Sequence, residues 1–245
     1  MNTDLTGKTA VVTGGNTGIG RAIAVALTRS GAGVVASYYN SDFEPFADEP
    51  ISGVYLDATD SEQVQAVMAE AAAALGGQID ILINNAGSLL GRVITSEMSD
   101  AHFQRVMAVN FSSTFYCTRA VLPYMPDGGR IVNLSSQAAH DGGGHGSVIY
   151  AAAKGAIISF TRGMAKELGP RNITVNALAP GFIANTAFHD THTPPAVQEA
   201  NVAKTPLQRA GTAADVAGAA LYLVSEMGAF VTGEVMEING GLYFA

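Results

Sequence analysis

Tyr150 and Lys154 stand four positions apart at the start of a strongly helical stretch, which puts both side chains on one face about a turn apart. An ammonium beside a phenol favours the phenolate and draws the phenol pKa toward neutrality, giving a group that can donate or accept a proton at working pH. The same spacing also arises as a plain surface pair. Ser136 strengthens the proton-transfer reading, because it follows the apolar run Arg130–Leu134 and ligands gather at strand carboxyl ends in open α/β sheets. Its hydroxyl can bond a carbonyl oxygen as negative charge develops there.

A second candidate feature lies near the start. The run Thr13-Gly14-Gly15-Asn16-Thr17-Gly18-Ile19-Gly20 ends an apolar stretch and opens a helical one. Glycines let the backbone approach a pyrophosphate, and a helix N-terminus supplies free N–H groups and positive dipole charge. The spacing is G-x-x-x-G-x-G in place of the more familiar G-x-G-x-x-G, and a turn of this shape can also serve packing.

The elements that must position these groups alternate along the whole chain. Lys8–Thr13, Gly33–Tyr38, Ser52–Leu56, Ile79–Asn84, Arg130–Leu134, Ile173–Leu178 and Glu234–Ile238 read as strands, mostly apolar throughout, as strands buried on both faces of a parallel sheet are. Gly18–Ser30, Ser61–Leu75, His102–Leu122, Val148–Leu168 and Ala213–Ser225 read as helices, with Gly169-Pro170 stopping the fourth. The expectation is an α/β fold: one doubly wound parallel sheet of about seven strands, helices on both faces, a single domain over 1–245. Pro45 and Pro50 leave little room for a full crossover helix between the second and third strands. The stretch 182–207, with Pro194-Pro195, reads as a lid over a site.

Composition narrows the class. A net charge of −8 disfavours nucleic acid, which needs clustered cations. The single cysteine, Cys117, sits among apolar neighbours as a buried thiol does. No metal site is expected. No apolar run reaches the roughly 18 residues of a membrane span, and the N-terminus lacks a signal-peptide pattern, so a cytoplasmic protein without membrane contact is expected. Charged residues make up only 14% and apolar ones 48%, which hints at surface buried between subunits.

Taken together, the Gly-rich turn, Asn84-Asn85-Ala86-Gly87, Asn110, Ser135-Ser136, Tyr150-Ala-Ala-Ala-Lys154, Pro180-Gly181 and Asn239-Gly240-Gly241 occur in the order of the short-chain dehydrogenase/reductase family, which the sequence resembles over essentially its whole length. The resemblance implies a Rossmann fold, a nicotinamide dinucleotide and a hydride moved to or from a carbonyl or alcohol carbon. Tyr150 would be the general acid in the reducing direction, Lys154 would lower its pKa and hold the nicotinamide ribose, Ser136 would position the carbonyl, and Asn110 would hold a water linking Lys154 to solvent. Read alone, an Asn in a helical stretch is a kink or a packing polar. The dinucleotide would be held by Gly14, Asn16, Thr17, Gly18, Ile19 and Gly20, by Tyr38, Asp57 and Ala58 around the adenosine, and by Asn84, Ala86 and Gly87. Tyr150, Lys154, Pro180, Gly181, Ile183 and Thr186 would complete the nicotinamide half. The Ser136 to Tyr150 spacing is one residue longer than the family's usual one, with His140-Asp-Gly-Gly-Gly-His-Gly146 as the slack, so Ser135 is the fallback. The Thr common after Pro-Gly is displaced, leaving Asn185 or Thr186 to make that contact. Relatives of this length are tetramers or dimers built on two long helices, matched here by His102–Leu122 and Val148–Leu168.

NAD selectivity comes from a carboxylate after the second strand and NADP selectivity from a cation. Ser37-Tyr38-Tyr39-Asn40 offers neither, and with Asp42 and Glu44 close by the expectation is NAD(H). For substrate, Arg92 after the Asn-Asn-Ala-Gly strand end can clamp a carboxylate or be a surface Arg, and His140, His145 and His189 lie in loops that flank the site. These stretches are similar to bacterial reductases of the 4-deoxy-hexulose uronic acid released from alginate, implying a sugar-derived keto acid bound by Arg92, Ser136, His140 and His189. The 3-oxoacyl-carrier-protein reductases are the second reading, disfavoured by the lack of a Lys/Arg patch around the lid beyond Lys204 and Arg209. A dinucleotide-sensing protein without catalysis is the competing class, and it has no use for an intact Ser–Tyr–Lys–Asn set.

Overall fold

A computed structural model describes residues 3–39, 46, 49–186, 191 and 193–244. Seven strands form one sheet: β1 (Thr9–Val12), β2 (Gly33–Tyr38), β3 (Ile51–Tyr55), β4 (Ile81–Asn84), β5 (Arg130–Leu134), β6 (Thr174–Pro180) and β7 (Val235–Ile238). Their order is β3-β2-β1-β4-β5-β6-β7, every pair parallel. The chain winds outward from β1 in one direction and from β4 in the other, so the sheet splits between their carboxyl ends, where an open α/β sheet forms its binding crevice.

Alternation along each strand builds two cores. Ala10, Val12, Val34, Ala36, Ile81, Ile83 and Val132 face α1 (Gly18–Arg29) and, near the carboxyl end of the chain, α8 (Ala213–Val224). Val11, Val35, Leu82 and Ile131 face the other way, against α2 (Ser61–Ala74), α4 (Ser113–Val121) and α6 (Val148–Leu168). Cys117 lies in this second core, its thiol pushed up to about 12 by burial. Three shorter helices also lie among the described residues: α3 (Asp100–Met107), α5 (Ala138–Asp141) and α7 (Pro195–Lys204).

The strand and long-helix expectations match within two residues at each end, except that His102–Leu122 is not one helix. It divides into α3, a π-helical turn over Ala108–Ser112, and α4. The stretch expected to be a lid contains α7, which starts with Pro195 in its first turn, the helix position where a missing N–H costs nothing. The connection from β2 to β3, apart from Tyr39, Phe46, Glu49 and Pro50, lies outside the described residues, as do residues 187–190 and 192. Among the described residues no helix is long and apolar enough to cross a membrane, and no cluster of metal-ligating side chains occurs.

Candidate active site

A cavity of about 660 Å³ opens at the carboxyl edge of the sheet, within the range of small-molecule and cofactor sites. Its wall at the β1 end is the Gly-rich turn. Gly14 and Gly18 have φ of +58° and +52°, and a Cβ on Gly20 would stand 2.5 Å from Asn85 Nδ2, so this turn tolerates side chains at none of the three. Gly14 N–H donates to Ser37 Oγ (3.0 Å) and Gly15 N–H to Ser37 O (2.8 Å), tying the turn to β2. Thr17 starts α1 in extended conformation without a side-chain cap, and no carboxylate occupies the first turn, so the N–H groups of that turn are left to meet an anion. These features fit a dinucleotide pyrophosphate.

Further along the wall, Thr13 Oγ1 accepts the N–H groups of Asn85 and Ala86 (both 3.0 Å), and Asn85 Nδ2 donates to Thr13 O (3.0 Å) and Gly14 O (2.9 Å). Asn85, Ala86 and Gly87 line the cavity. Asn84 is set back from it: its Nδ2 donates to Asn133 Oδ1 (2.9 Å) and Thr118 Oγ1 (3.0 Å) inside the core. Gly20 likewise stands behind the wall. Tyr38, Asp57 and Ala58 line the adenosine end with Ser37, Tyr39 and Thr59; the Tyr38 ring meets Tyr55 edge-on at 5.9 Å, and Asp57 Oδ1 accepts from Thr59 N–H (2.9 Å) and Oγ1 (2.6 Å).

At the other end, Ser136, Tyr150 and Lys154 share the wall with Pro180, Gly181, Ile183 and Thr186. Ser136 hydrogen-bonds the Tyr150 hydroxyl, while Ser135 Oγ donates to Lys154 O (2.9 Å) and is spent on holding α6. Ser136 is therefore the serine that meets the tyrosine. Thr186 takes the position left open between it and Asn185, because Asn185 turns left-handed at φ +56° and Thr186 follows onto the cavity wall, its Cγ2 3.7 Å from where a Gly18 Cβ would be.

Burial sets the proton affinities. It pushes the Tyr150 phenol up to about 12, against the opposing pull of the Ser136 hydrogen bond, and pulls the Lys154 ammonium down to about 8. The expected drift of Tyr150 toward neutrality does not occur here, since Lys154 Nζ lies 5.8 Å from the Tyr150 ring centre and donates to Leu134 O (2.7 Å). Asn110 sits in the π turn and makes three side-chain hydrogen bonds: Nδ2 donates to Ser88 O (2.7 Å) and Val106 O (2.9 Å), and Oδ1 accepts from Ser88 N–H (3.1 Å). A Cβ on Gly87 would fall 2.8 Å from Asn110 Oδ1 and 3.1 Å from Lys154 Nζ, so Gly87, Asn110 and Lys154 close around one point.

The remaining expected substrate groups are placed elsewhere. Arg92 Nη1 donates to His145 O (3.1 Å) and braces the Gly-rich loop outside the cavity wall. His140 pairs with Glu237 (2.9 Å), also outside it. His189 lies outside the described residues. Arg105, in the last turn of α3, and Ala108 and Val109, in the π turn that follows, also line the cavity; the π turn has no signal in apolar periodicity.

A family model described as Enoyl-(Acyl carrier protein) reductase matches residues 14–243. The 3-oxoacyl-(acyl-carrier-protein) reductase of Vibrio cholerae is 36% identical over 98% of this chain and 99% of its own length. Among solved structures, a dehydrogenase/reductase from Sinorhizobium meliloti superposes with a TM-score of 0.91 at 35% identity, over 99% of this chain and 98% of that one. A short-chain dehydrogenase from Burkholderia cenocepacia in complex with NADP gives 0.90 at 32% identity, over 97% and 98%. With the parallel seven-stranded sheet, the Gly-rich turn and Ser136, Tyr150 and Lys154 on one cavity wall, the chain belongs to the short-chain dehydrogenase/reductase family and is an NAD(P)-dependent oxidoreductase of the CH–OH/C=O couple.

Proposed function

We propose that this chain reduces the ketone of a 3-oxoacyl thioester or a carbonyl compound of similar size, with Tyr150 as proton donor. The observation that carries the reading is the Ser136–Tyr150 hydrogen bond on the wall of a cavity that also fits a dinucleotide. A phenol pushed up to about 12 stays protonated at neutral pH and so has a proton to give to a carbonyl oxygen. Ser136 shares that oxygen and holds it in line, and the Lys154 ammonium stabilises the phenolate left behind. The dinucleotide, when bound, supplies the hydride. Asn110 keeps the Ser88 backbone, and through it the Gly87 wall, against Lys154.

Relatives named as 3-oxoacyl-(acyl-carrier-protein) reductases, matched over nearly their whole length, support the acyl substrate. Two of the three side chains behind the sugar-acid reading, Arg92 and His140, are engaged away from the cavity, and His189 lies outside the described residues. For the dinucleotide, NAD(H) is favoured by the end of β2, where Ser37, Tyr38 and Tyr39 line the cavity and none of the three offers a cation to a 2′-phosphate; the relative solved with NADP pulls the other way. A groove of about 370 Å³ between α4 and α6, lined by Phe115, Arg119, Leu122, Phe160 and Met164, supports pairing with a second copy into a dimer or tetramer, which a light-scattering mass of the monomer would rule out.

Absorbance assays with NADH and NADPH against acetoacetyl thioester, keto-uronate, neutral sugars and simple aldehydes test the reading, with Tyr150→Phe beside the wild type. The expected result is thioester reduction that Tyr150→Phe lowers by about 10²–10⁴-fold while dinucleotide binding is kept. Turnover confined to keto-uronate overturns the substrate, NADPH bound tenfold more tightly than NADH overturns the cofactor preference, and full turnover by Tyr150→Phe overturns the mechanism.

A further inference from the structure

The helix α5 lies between Ser136 and Tyr150 in sequence and is only four residues long, so it cannot hold itself in place. Besides packing along α6, it meets the C-terminal end of the chain. His140 Nε2 stands 2.9 Å from Glu237 Oε1 at the end of β7, with side chains only 16% and 17% exposed, and the His140 ring stacks on Tyr243 at 5.4 Å and 22°. Asn239 Nδ2 orients the group by donating to Glu237 Oε2 (3.2 Å) and Tyr243 O (2.9 Å). The remaining charged neighbour, Asp141, is held on α5 by Gln137 Nε2 (2.8 Å) and Gly143 N–H (2.8 Å).

The same tail reaches the cavity by two other routes. Gly181 N–H donates to Ile238 O (3.0 Å) and Gln137 N–H to Pro180 O (3.0 Å), so the residue after Ser136 is tied to the Pro180–Gly181 wall and that wall to β7. Leu207 N–H donates to Gly240 O (3.3 Å), and a Cβ on Gly240 would meet Thr205 Cγ2 at 2.6 Å, so the tail also packs on the exit of α7. Residues 237–243 thus touch α5, the cavity wall and the exit of α7.

We propose that His140 and Glu237 are positioning residues for Ser136: their close contact, covered by the Tyr243 ring, docks α5 onto the C-terminal tail and helps fix the Ser136 hydroxyl within hydrogen-bonding reach of Tyr150. The proposal rests on the reading of Ser136 and Tyr150 as catalytic. Two polar side chains largely withdrawn from water lie against each other, and removing one leaves the other without that neighbour and drawn toward solvent. Gln137 follows Ser136 directly, so slippage of α5 displaces the hydroxyl, and misplacements of about 1 Å cost up to about a hundredfold in rate.

The test is steady-state kinetics on the full chain with His140→Ala, Glu237→Ala, their combination, the conservative His140→Gln, and Ser136→Ala as control. The expected result is kcat lower by about ten- to a hundredfold in each alanine variant at unchanged dinucleotide Kd and nearly unchanged KM, a double variant no worse than the poorer single one, and recovery of most of the loss in His140→Gln. If Ser136→Ala abolishes turnover while His140→Ala and Glu237→Ala stay within twofold of wild type, the clamp is overturned and the catalytic set stands. If Ser136→Ala itself leaves kcat intact, the underlying reading fails instead. Tyr243→Leu, which leaves both His140 and Glu237 in place, serves should the alanine variants not fold: a smaller fall in kcat supports the clamp, and an unchanged kcat overturns it.

Discussion

Tyr150 and Lys154 feel the same burial with opposite consequences, because desolvation opposes the charged form of each and the two charge in opposite directions. This makes the pH dependence specific. Between about 8 and the ordinary Lys value of 10.5, the folded chain has released the Lys154 proton while the unfolded chain keeps it, so Lys154 adds to stability as pH rises through that window. Reduction runs the other way: above about 8 the phenolate formed at Tyr150 loses its cationic neighbour and kcat falls, well before the phenol itself ionises near 12. A kcat profile flat to pH 10 would reject that role for Lys154, and Lys154→Met is expected to remove both the fall and the gain in stability. Residue types and spacing made these groups legible, but choices between neighbours were not. Ser135 and Ser136, or Asn84 and Asn85, differ in which way a strand end points them, and that direction is set by where β4 and β5 stop against α4 and α6.

At the scale of elements, uniformly apolar strands and well-punctuated helices could be read from the sequence because the backbone periods of 2 and 3.6 are imprinted on every buried residue. The break between α3 and α4 was not, since a π turn keeps the apolar pattern while changing only the backbone ladder. Asn110 lies within it: Nδ2 donates to Val106 O, one turn back, and to Ser88 O, so one amide ties this turn to the loop after β4. The kink expected of a lone helical Asn falls at this residue. Asn110→Leu strips a partner from both backbone groups of Ser88 and is expected to cost about 1–3 kcal/mol for each polar group left buried and unpaired. Denaturant unfolding measures that loss, and kcat should fall with it as Gly87 moves against Lys154. Stability equal to wild type would remove the anchoring role. The α7 helix was missed for another reason: Pro194-Pro195 reads as a loop, yet Pro195 is the first helical residue.

For the whole molecule, charge decides how a substrate must arrive. The chain carries −8, and several of its surface cations are matched with carboxylates: Lys8 with Asp80, Arg29 with Glu49, Arg171 with Asp127 and Arg209 with Asp215. An acidic carrier protein approaching such a surface is repelled at long range, whereas the same acyl thioester on a small carrier diffuses in with far less net opposition. Salt separates the two. Screening lengths shrink from about 30 Å at 0.01 M to about 10 Å at 0.1 M, which weakens repulsion and attraction alike. If the chain has no docking patch for a carrier protein, kcat/KM for a 3-oxoacyl carrier-protein substrate should rise over that range, toward the value for the free thioester, which itself should change little. A fall with added salt would mean that opposite charges steer the carrier in. The cations doing so would then be sought by charge reversal at Arg105, on the cavity wall, and at Arg92, beside the Gly-rich loop. The direction of the slope thus tells whether the acyl group reaches Tyr150 on a protein or on a small molecule.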